Sequence, residues 1–230
     1  MKVLKFGGTS VGSAARMKDV AKLICDGEQN IVVLSAMSGT TNSLVEISDY
    51  FYKNNTSGAL EKINSLEQKY YDVIEDLYSK ADCKAEAKQI IKTHFEYLRS
   101  FSKSVFTLFE EKAILAQGEL LSTAMFQLYL QEIGENSALL PALEYMRIDK
   151  NSEPDTAYIA ENLEKQLQAQ PDKMIYITQG YICRNFYGEI DNLQRGGSDY
   201  SASLVGAALK ADEIQIWTDI DGMHNNDPRF

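Results

Sequence analysis

The residues whose types and spacing best suit chemistry lie at the start of the chain, where residues 5–10 are Lys-Phe-Gly-Gly-Thr-Ser. They directly follow the short apolar run Val3-Leu4, which predicts a strand. Two glycines at the end of a strand let backbone N–H groups approach an anion closely, and Lys5 adds a positive charge beside them. The segment therefore predicts a phosphate-binding loop. It differs from a Walker A loop, because its lysine precedes the glycines instead of following them.

The elements around this loop predict a parallel α/β sheet. Residues 31–34 form a second apolar run, and the amphipathic segment 14–25 between the two runs predicts a helix. Such a βαβ unit requires parallel strands. A second loop of small residues, 35–42, leads into a helix predicted over 43–52. Because ligands of open α/β sheets collect at the carboxyl ends of the strands, we expect both loops to border one site.

Residues from about 59 to 115 are helical and polar in pattern. Apolar residues recur at spacings of three and four, which predicts two long helices. The stretch is rich in tyrosine and phenylalanine, and their helical spacing favours packing in a core over a surface on which a ligand stacks. We interpret the stretch as a helical insert or lid.

The second half of the chain returns to alternating strands and helices. Strands are predicted at 138–140, 174–178 and 213–218, and helices at 155–168 and 200–210. A hairpin is predicted between 181–183 and 187–190. Ser198 or Asp199 is the natural N-cap of the helix predicted at 200–210.

Composition restricts the class of protein. The 230 residues are 44% hydrophobic and 24% charged, as in ordinary soluble domains, and the net charge of −10 argues against nucleic-acid and anionic-membrane surfaces. Cys25, Cys83 and Cys183 are widely spaced, which predicts free thiols and neither a disulfide framework nor a zinc site. With no apolar signal core and no apolar stretch of about 20 residues, we expect a cytoplasmic protein.

Six motifs spanning residues 5 to 229 occur in the order found in aspartate kinases, and the chain closely resembles that family over its whole length. The motifs are Lys5-Phe6-Gly7-Gly8-Thr9-Ser10, Leu34-Ser35-Ala36 with Thr41-Asn42, Gln117-Gly118-Glu119, Thr178-Gln179-Gly180-Tyr181, Arg195-Gly196-Gly197-Ser198-Asp199, and Trp217-Thr218-Asp219 followed by Asp227-Pro228-Arg229.

The resemblance implies the amino-acid kinase fold, a three-layer αβα sandwich on a mainly parallel sheet, here with a helical insert. It implies phosphorylation of the L-aspartate side-chain carboxylate by ATP, with Mg²⁺ arriving with the nucleotide. The product, 4-phospho-L-aspartate, opens the routes to lysine, threonine and methionine. A carboxylate is already ionised at pH 7, so the reaction needs no general base and depends on alignment and charge neutralisation.

The resemblance also implies roles for particular residues. Lys5 and Asp199 are expected to be catalytic, Lys5 by neutralising charge on the transferred phosphoryl group. Arg195 is expected to grip the substrate α-carboxylate, and Glu119 to pair with its α-ammonium. The full substrate set is Ser35, Thr41, Glu119, Tyr181, Arg195 and Ser198, and the nucleotide set is Lys5, Gly7, Gly8, Thr218, Asp219 and Arg229.

Simpler hypotheses stay open for some of these residues. Lys5 could be a surface lysine beside a tight turn, and Glu119 a carboxylate on a helix surface. Ser198 and Asp199 could do no more than cap a helix. No metal cage is expected, because Mg²⁺ bound with a nucleotide keeps several of its waters.

The chain departs from the family at two places and in length. Residues 189–194 replace the usual threonine-rich run before Arg195, and His224 stands where the family has tyrosine. Family members continue with more kinase domain and with regulatory ACT domains. We therefore expect residues 1–230 to be a catalytic domain truncated at its C-terminus, with an apolar sheet edge that promotes association. A homo-oligomer is expected for the full-length protein.

Four hypotheses on function remain open at this point. The leading one is an aspartate kinase. The chain could also be the kinase part of a bifunctional aspartokinase–homoserine dehydrogenase, although the motifs at 117–119 and 195–197 favour the monofunctional type. A relative could act on glutamate, N-acetylglutamate or a nucleotide monophosphate. The chain could also bind aspartate or a nucleotide without turnover. A Rossmann dinucleotide-binding domain is disfavoured, since no G-x-G-x-x-G follows a strand.

Overall fold

The computed structural model describes residues 1–103, 105–194 and 196–218. The strands are β1 (Lys2–Phe6), β2 (Asn30–Leu34), β3 (Ser137–Leu140), β4 (Ile175–Gln179), β5 (Ile182–Arg184), β6 (Ile190–Asn192) and β7 (Glu213–Trp217). The α-helices are α1 (Ala14–Ile24), α2 (Thr40–Tyr52), α3 (Thr56–Leu77), α4 (Ala81–Ser100), α5 (Leu108–Glu132), α6 (Ala142–Tyr145), α7 (Thr156–Ala169) and α8 (Gly197–Leu209).

The central sheet has five parallel strands in the order β3-β4-β2-β1-β7. Its strands are apolar because helices cover both faces. Leu4 and Phe6 pack into a core formed with α1 to α5, whereas Val3 packs into a second core formed mainly with α6 to α8. The predicted α/β class with a mainly parallel sheet and three layers is therefore confirmed.

The register of the sheet brings the two predicted loops together. Phe6 of β1 pairs with Leu34 of β2, which in turn pairs with Gln179 of β4. The chain therefore leaves these three neighbouring strands at the same edge. This edge carries the first turns of α2 and α8 and the segments that precede them.

The helical insert consists of α3 and α4, which confirms the prediction of two long helices. The ring of Tyr70 on α3 meets that of Phe95 on α4 with centroids 5.8 Å apart, and both side chains are fully buried. Packing thus explains most of the aromatic residues, although Tyr97 and Phe109 are exposed. The predicted stretch ends inside α5, a central helix that is buried over most of its length.

Helix α2 begins at Thr40, three residues before the predicted start. Gly39 precedes it with φ of 79°, a left-handed conformation that glycine adopts without a steric penalty. Thr41 therefore lies in the first helical turn and not in a loop.

The prediction of Ser198 or Asp199 as the cap of the last helix is wrong. Helix α8 begins at Gly197, and its N-cap is Gly196, with φ of 78° and no side-chain capping bond. Because the backbone turn at Gly196 starts the helix earlier, Ser198 and Asp199 lie within the first turn. Their side chains line a cavity instead of capping the helix.

The predicted hairpin exists, but its second strand begins later than expected. Cys183 pairs with Asp191 in an antiparallel ladder. Residues 187–189 belong to the turn, because the Asn185 side chain accepts hydrogen bonds from the backbone N–H groups of Tyr187 and Glu189. Such local bonds favour a turn over a strand.

Two further expectations can be compared with the structure. The three cysteines are free thiols, as predicted. Within the described ranges, no helix has both the length and the apolar character that crossing a membrane requires.

Candidate active site

A cavity of about 650 Å³ lies at the carboxyl edge of the sheet, over the ends of β1, β2 and β4. It brings together eight of the residues that the sequence analysis selected. They are Lys5, Gly8, Ser35, Thr41, Glu119, Tyr181, Ser198 and Asp199.

Lys5 and Asp199 form an ion pair in this cavity. The distance from Lys5 Nζ to Asp199 Oδ1 is 2.7 Å, and the lysine side chain is 11% exposed against 55% for the aspartate. A Cβ atom on Gly7 would lie 3.5 Å from Lys5 Nζ, an ordinary contact distance, so the ammonium lies directly beside this loop. Lys5 is thus a mostly buried cation held at the cavity wall, and the hypothesis of a surface lysine is wrong.

The loop that follows β1 packs tightly on the loop that follows β2. A Cβ atom on Gly8 would lie 2.7 Å from the carbonyl oxygen of Ala36, closer than a side chain can approach. The backbone N–H of Ser38 donates to the carbonyl oxygen of Gly8 at 3.1 Å. The two loops therefore form one continuous wall, and glycine at position 8 is a requirement of this close approach.

Glu119 lies in the middle of α5 and is buried, so the hypothesis of a surface carboxylate is wrong. Its side chain is 5% exposed, and its Oε1 accepts a hydrogen bond from the backbone N–H of Ala36 at 3.2 Å. Burial raises the pKa of Glu119 to about 7, with the Ala36 N–H acting in the opposite direction. Among the described residues, none forms an ion pair with this carboxylate.

Tyr181 and the start of α8 form the wall beyond β4. Tyr181 has φ of 68°, and its backbone N–H donates to Ser201 Oγ on α8 at 2.9 Å. A Cβ atom on Gly180 would lie 2.7 Å from the Ser198 side chain, so glycine permits this close packing. A non-glycine residue in the left-handed region carries backbone strain, which is concentrated at functional sites in proteins.

Other selected residues lie elsewhere or outside the described chain. Gly7 does not line the cavity, and Thr218 borders a separate cavity of about 190 Å³ beside Trp217, whose ring stacks on Phe6 at 5.7 Å. The residues that fall outside the described ranges are Arg195, Asp219, His224 and Arg229. Their predicted roles stay predictions.

Sequence reasoning left Gln117 and His94 without roles, and the structure pairs them. His94 Nδ1 and Gln117 Oε1 are 2.6 Å apart, between α4 and α5. Burial lowers the pKa of His94. A neutral imidazole that donates to an amide oxygen in this position supports the packing of α5, the helix that carries Glu119.

Sequence reasoning also missed Lys69, on α3. Its Nζ donates to the carbonyl oxygen of Ser38, a residue of the cavity wall. No local pattern could have revealed this contact, because a lysine on a polar helix normally faces solvent.

Comparison with known proteins decides the family. Residues 1–230 match the amino acid kinase family along their entire length. The chain belongs to the amino acid kinase family. Its homologues are aspartokinases, which confirms the resemblance found in the sequence.

Three curated relatives illustrate the match to this amino acid kinase. Lysine-sensitive aspartokinase 3 of Escherichia coli (strain K12) is 30% identical over 231 residues, which cover 99% of this chain and 51% of the relative. The aspartokinase of Chlamydia trachomatis is 31% identical over 236 residues, which cover 99% of this chain and 51% of the relative. The bifunctional aspartokinase/homoserine dehydrogenase of Buchnera aphidicola is 32% identical over 243 residues, with coverages of 100% and 29%.

Solved structures agree with this assignment. Aspartokinase III of E. coli in complex with aspartate and ADP superposes with a TM-score of 0.85 at 30% identity, covering 100% of this chain and 51% of that one. The aspartate kinase of Clostridium acetobutylicum has the same fold, with a TM-score of 0.78 at 21% identity and coverages of 100% and 50%. The chain spans about half the length of these two structures and of the first two curated relatives above.

Proposed function

We propose that this chain is the catalytic part of an aspartate kinase. The γ-phosphoryl group of ATP passes to a side-chain oxygen of L-aspartate, so that the bond to the β-phosphate oxygen breaks and ADP and 4-phospho-L-aspartate form. The observation that carries the proposal is the convergence, in one cavity, of the Lys5 ammonium with the buried carboxylate of Glu119. Relatives at about 30% identity that are aspartokinases support the choice of substrate.

Lys5 serves the phosphoryl end of the cavity. Phosphoryl transfer depends on positioning and on neutralising the charge on the equatorial oxygens. Asp199 holds the ammonium at 2.7 Å, so the positive charge is in place before the reaction begins. The loop at Gly8 offers backbone instead of side chains beside this charge, which suits a triphosphate.

Glu119 serves the amino-acid end. A buried carboxylate with a raised pKa is stabilised in its ionised form by a cation placed against it. The α-ammonium of an amino acid is such a cation. Hydroxyl groups of Ser35, Thr41 and Ser198 line the same cavity and can donate to the substrate carboxylates. We assign the grip on the α-carboxylate to Arg195, whose guanidinium suits a bidentate contact.

The substrate supplies its own nucleophile. An aspartate side chain has a pKa near 3.9 and is ionised at pH 7, so no residue of this chain has to remove a proton. The contribution of the cavity is to bring the carboxylate and the phosphoryl group into line.

ATP would enter as its Mg²⁺ complex, in which the metal neutralises phosphate charge. Mg²⁺ in such complexes is held by phosphates, waters and one or two carboxylates. Within the described ranges, no three or more side chains of His, Cys, Asp or Glu converge on a possible metal site. The Asp199 carboxylate at the cavity fits this mode of binding. Thr218, Asp219 and Arg229 complete the proposed nucleotide side.

The setting of the reaction is part of the same proposal. We place it in the cytoplasm, at the entry to lysine, threonine and methionine synthesis, with residues 1–230 as the kinase domain of a longer, homo-oligomeric protein. The second candidate is the kinase part of a bifunctional aspartokinase–homoserine dehydrogenase. It is favoured by the Buchnera relative, whose matching region covers this whole chain.

Trapping the acyl phosphate with hydroxylamine tests the function directly. The chain and a Lys5→Ala variant are incubated with MgATP and either aspartate or glutamate, and the hydroxamate is measured by its colour with ferric ion. We expect hydroxamate with aspartate only, and its loss in the variant. Hydroxamate with glutamate but not aspartate would contradict the proposed substrate. If no hydroxamate forms with either amino acid, calorimetric titration with aspartate distinguishes two cases. A fragment that binds aspartate without turnover gives a heat of binding, whereas a chain with another substrate gives none.

A further inference from the structure

Two adjacent residues of the helical insert hold the loop between β2 and α2. Lys69 Nζ donates to the carbonyl oxygen of Ser38 at 2.5 Å, and the hydroxyls of Tyr70 and Thr40 are 3.0 Å apart. Neighbouring residues of an α-helix point about 100° apart around its axis. The loop must therefore follow the surface of α3 to form both bonds, and its course depends on that helix.

The opposite side of this loop is held by α5. A Cβ atom on Gly118 would lie 2.7 Å from Ala36 Cβ and 3.5 Å from Thr40 Cγ2, so the helix and the loop are in close contact. The backbone N–H of Ala36 donates to Glu119 on the same helix. The segment 35–41, which comprises the loop with Ser35 and the first turn of α2 with Thr41, is thus enclosed between α5 and α3.

The contact of Lys69 differs from an ordinary surface ion pair. Lys62, seven residues earlier on the same helix, lies 2.5 Å from Glu46 Oε2 on α2 and joins the two helices by their side chains. Lys69 instead donates to a backbone carbonyl, one residue before Gly39 with its left-handed φ of 79°. No described residue forms an ion pair with Lys69, and burial lowers its pKa.

Tyr70 extends this contact to the first residue of α2. Its ring packs on Phe95, and its hydroxyl reaches Thr40 at the first position of α2. The charge of Glu119 also acts on Tyr70, where it adds to the effect of burial in raising the pKa of the phenol. The insert therefore contacts the cavity wall at Ser38 and the nearby Thr40.

We propose that Lys69 and Tyr70 are positioning residues, which hold residues 35–41 in the shape that presents Ser35 and Thr41 to the amino-acid substrate. Neither residue lines the cavity, so both act through the loop. The helical insert is then a fixed brace for the amino-acid end of the site and not a lid. This inference rests on the proposed function only in naming the substrate.

Hydrogen–deuterium exchange tests the brace without any need for activity. We expect peptides covering residues 35–42 to exchange about tenfold faster in Lys69→Met. Without the bond from Lys69 to the Ser38 carbonyl, the segment opens more often and its backbone amides become accessible to solvent. The matched control is Lys62→Met, which removes an equivalent lysine from the same helix but has no bond to the loop. Equal exchange of residues 35–42 in the two variants would overturn the proposal.

Tyrosine variants provide a second comparison. Tyr70→Phe removes only the hydroxyl that reaches Thr40, whereas Tyr71→Phe removes a hydroxyl whose partner, Glu67, belongs to α3 itself. We expect faster exchange of residues 35–42 in Tyr70→Phe only. We expect Lys69→Arg, which keeps the donor and the charge, to stay within about threefold of the unchanged protein. Exchange in Lys69→Arg as fast as in Lys69→Met would count against the hydrogen bond.

Steady-state kinetics distinguish a loss of substrate positioning from a general loss of structure in the variants. In Lys69→Met we expect the KM for aspartate to rise about tenfold while kcat and the KM for ATP change less than about threefold, because a misplaced loop weakens one substrate. An equal rise in the KM values for aspartate and for ATP would overturn the assignment to the amino-acid end. If the unchanged protein phosphorylates another amino acid, the proposed function fails, and the exchange comparison still decides whether the loop is braced.

Discussion

The Lys5 ammonium at the end of β1 lies 2.7 Å from the Asp199 carboxylate in the first turn of α8. The pair joins the predicted phosphate-binding loop to the segment that follows Arg195. It fixes the position of a cation that otherwise has four rotatable bonds, and it does so at the rim of the cavity. Preorganised charge of this kind is worth most at the moment when charge develops on the reacting group.

Removing the Lys5 ammonium is expected to abolish most of the activity. We expect hydroxamate formation by Lys5→Ala to fall by about 10²- to 10³-fold, the usual effect of losing one group that stabilises developing charge. The control is Lys2→Ala on the same strand, since Lys2 pairs with Glu28 at the other end of β1. An equal loss of rate in both variants would show that strand β1, and not the cation, had been damaged.

A methyl group at position 8 is expected to force the two loops apart. A Cβ atom of Gly8→Ala meets the Ala36 carbonyl at 2.7 Å, and neither backbone segment can move without disturbing the sheet edge. We expect the free energy of unfolding in urea to fall by about 1–3 kcal/mol. Gly7→Ala is the matched control, because the nearest neighbour of its Cβ atom would be Lys5 Nζ at 3.5 Å, an ordinary van der Waals distance. Equal stability of the two variants would contradict this packing.

The buried Glu119 should make stability depend on pH. Its pKa is about 7 in the folded protein against 4.5 in the unfolded chain, so between these values the folded state keeps a proton that the unfolded state releases. Raising the pH through this window therefore lowers the free energy of unfolding, by about 3 kcal/mol in total. In Glu119→Gln, which has no carboxyl group to titrate at this position, we expect the free energy of unfolding to show no such decrease. Urea unfolding at pH 5 and pH 8 measures both proteins, and identical pH dependence would argue against a raised pKa.

Aspartate affinity should depend on the same proton. Below pH 7 the Glu119 carboxyl is mostly protonated and offers no charge to the α-ammonium. We expect the dissociation constant for aspartate to fall about fivefold as the pH rises from 6 to 7, about twofold further by pH 8, and little above that. Calorimetric titration at several pH values measures it. A dissociation constant that falls equally in Glu119→Gln would place the titrating group elsewhere.

The edge of the sheet at β7 is expected to promote association. Within the described residues β7 pairs with β1 alone, and its side chains Ile214, Ile216 and Trp217 are exposed. Open strand edges with apolar side chains pair with other chains. We expect light scattering to show association of the 230-residue chain at micromolar concentrations, and less of it in Ile216→Lys. A stable monomer at all concentrations would contradict this expectation.

Much of the architecture could be predicted because local patterns carry it. Apolar runs marked β1, β2 and β4, and spacings of three and four marked α3 and α4. The two loops of small residues were correctly placed side by side, since parallel strands end at a common edge. Errors arose where a backbone turn overrode side-chain preference. Gly39 and Gly196 start their helices earlier than Ser43 and Asp199 would suggest.

By itself the sequence determined the fold class and the edge of the sheet where the site lies, because both depend on neighbours along the chain. Its resemblance to aspartate kinases supplied eight of the residues around the cavity. Only the tertiary structure decided that Lys5 meets Asp199, that Glu119 is buried and that Lys69 braces Ser38. Those contacts join segments far apart in sequence. Burial and ion pairing are set by what packs around a side chain, and no local pattern encodes that.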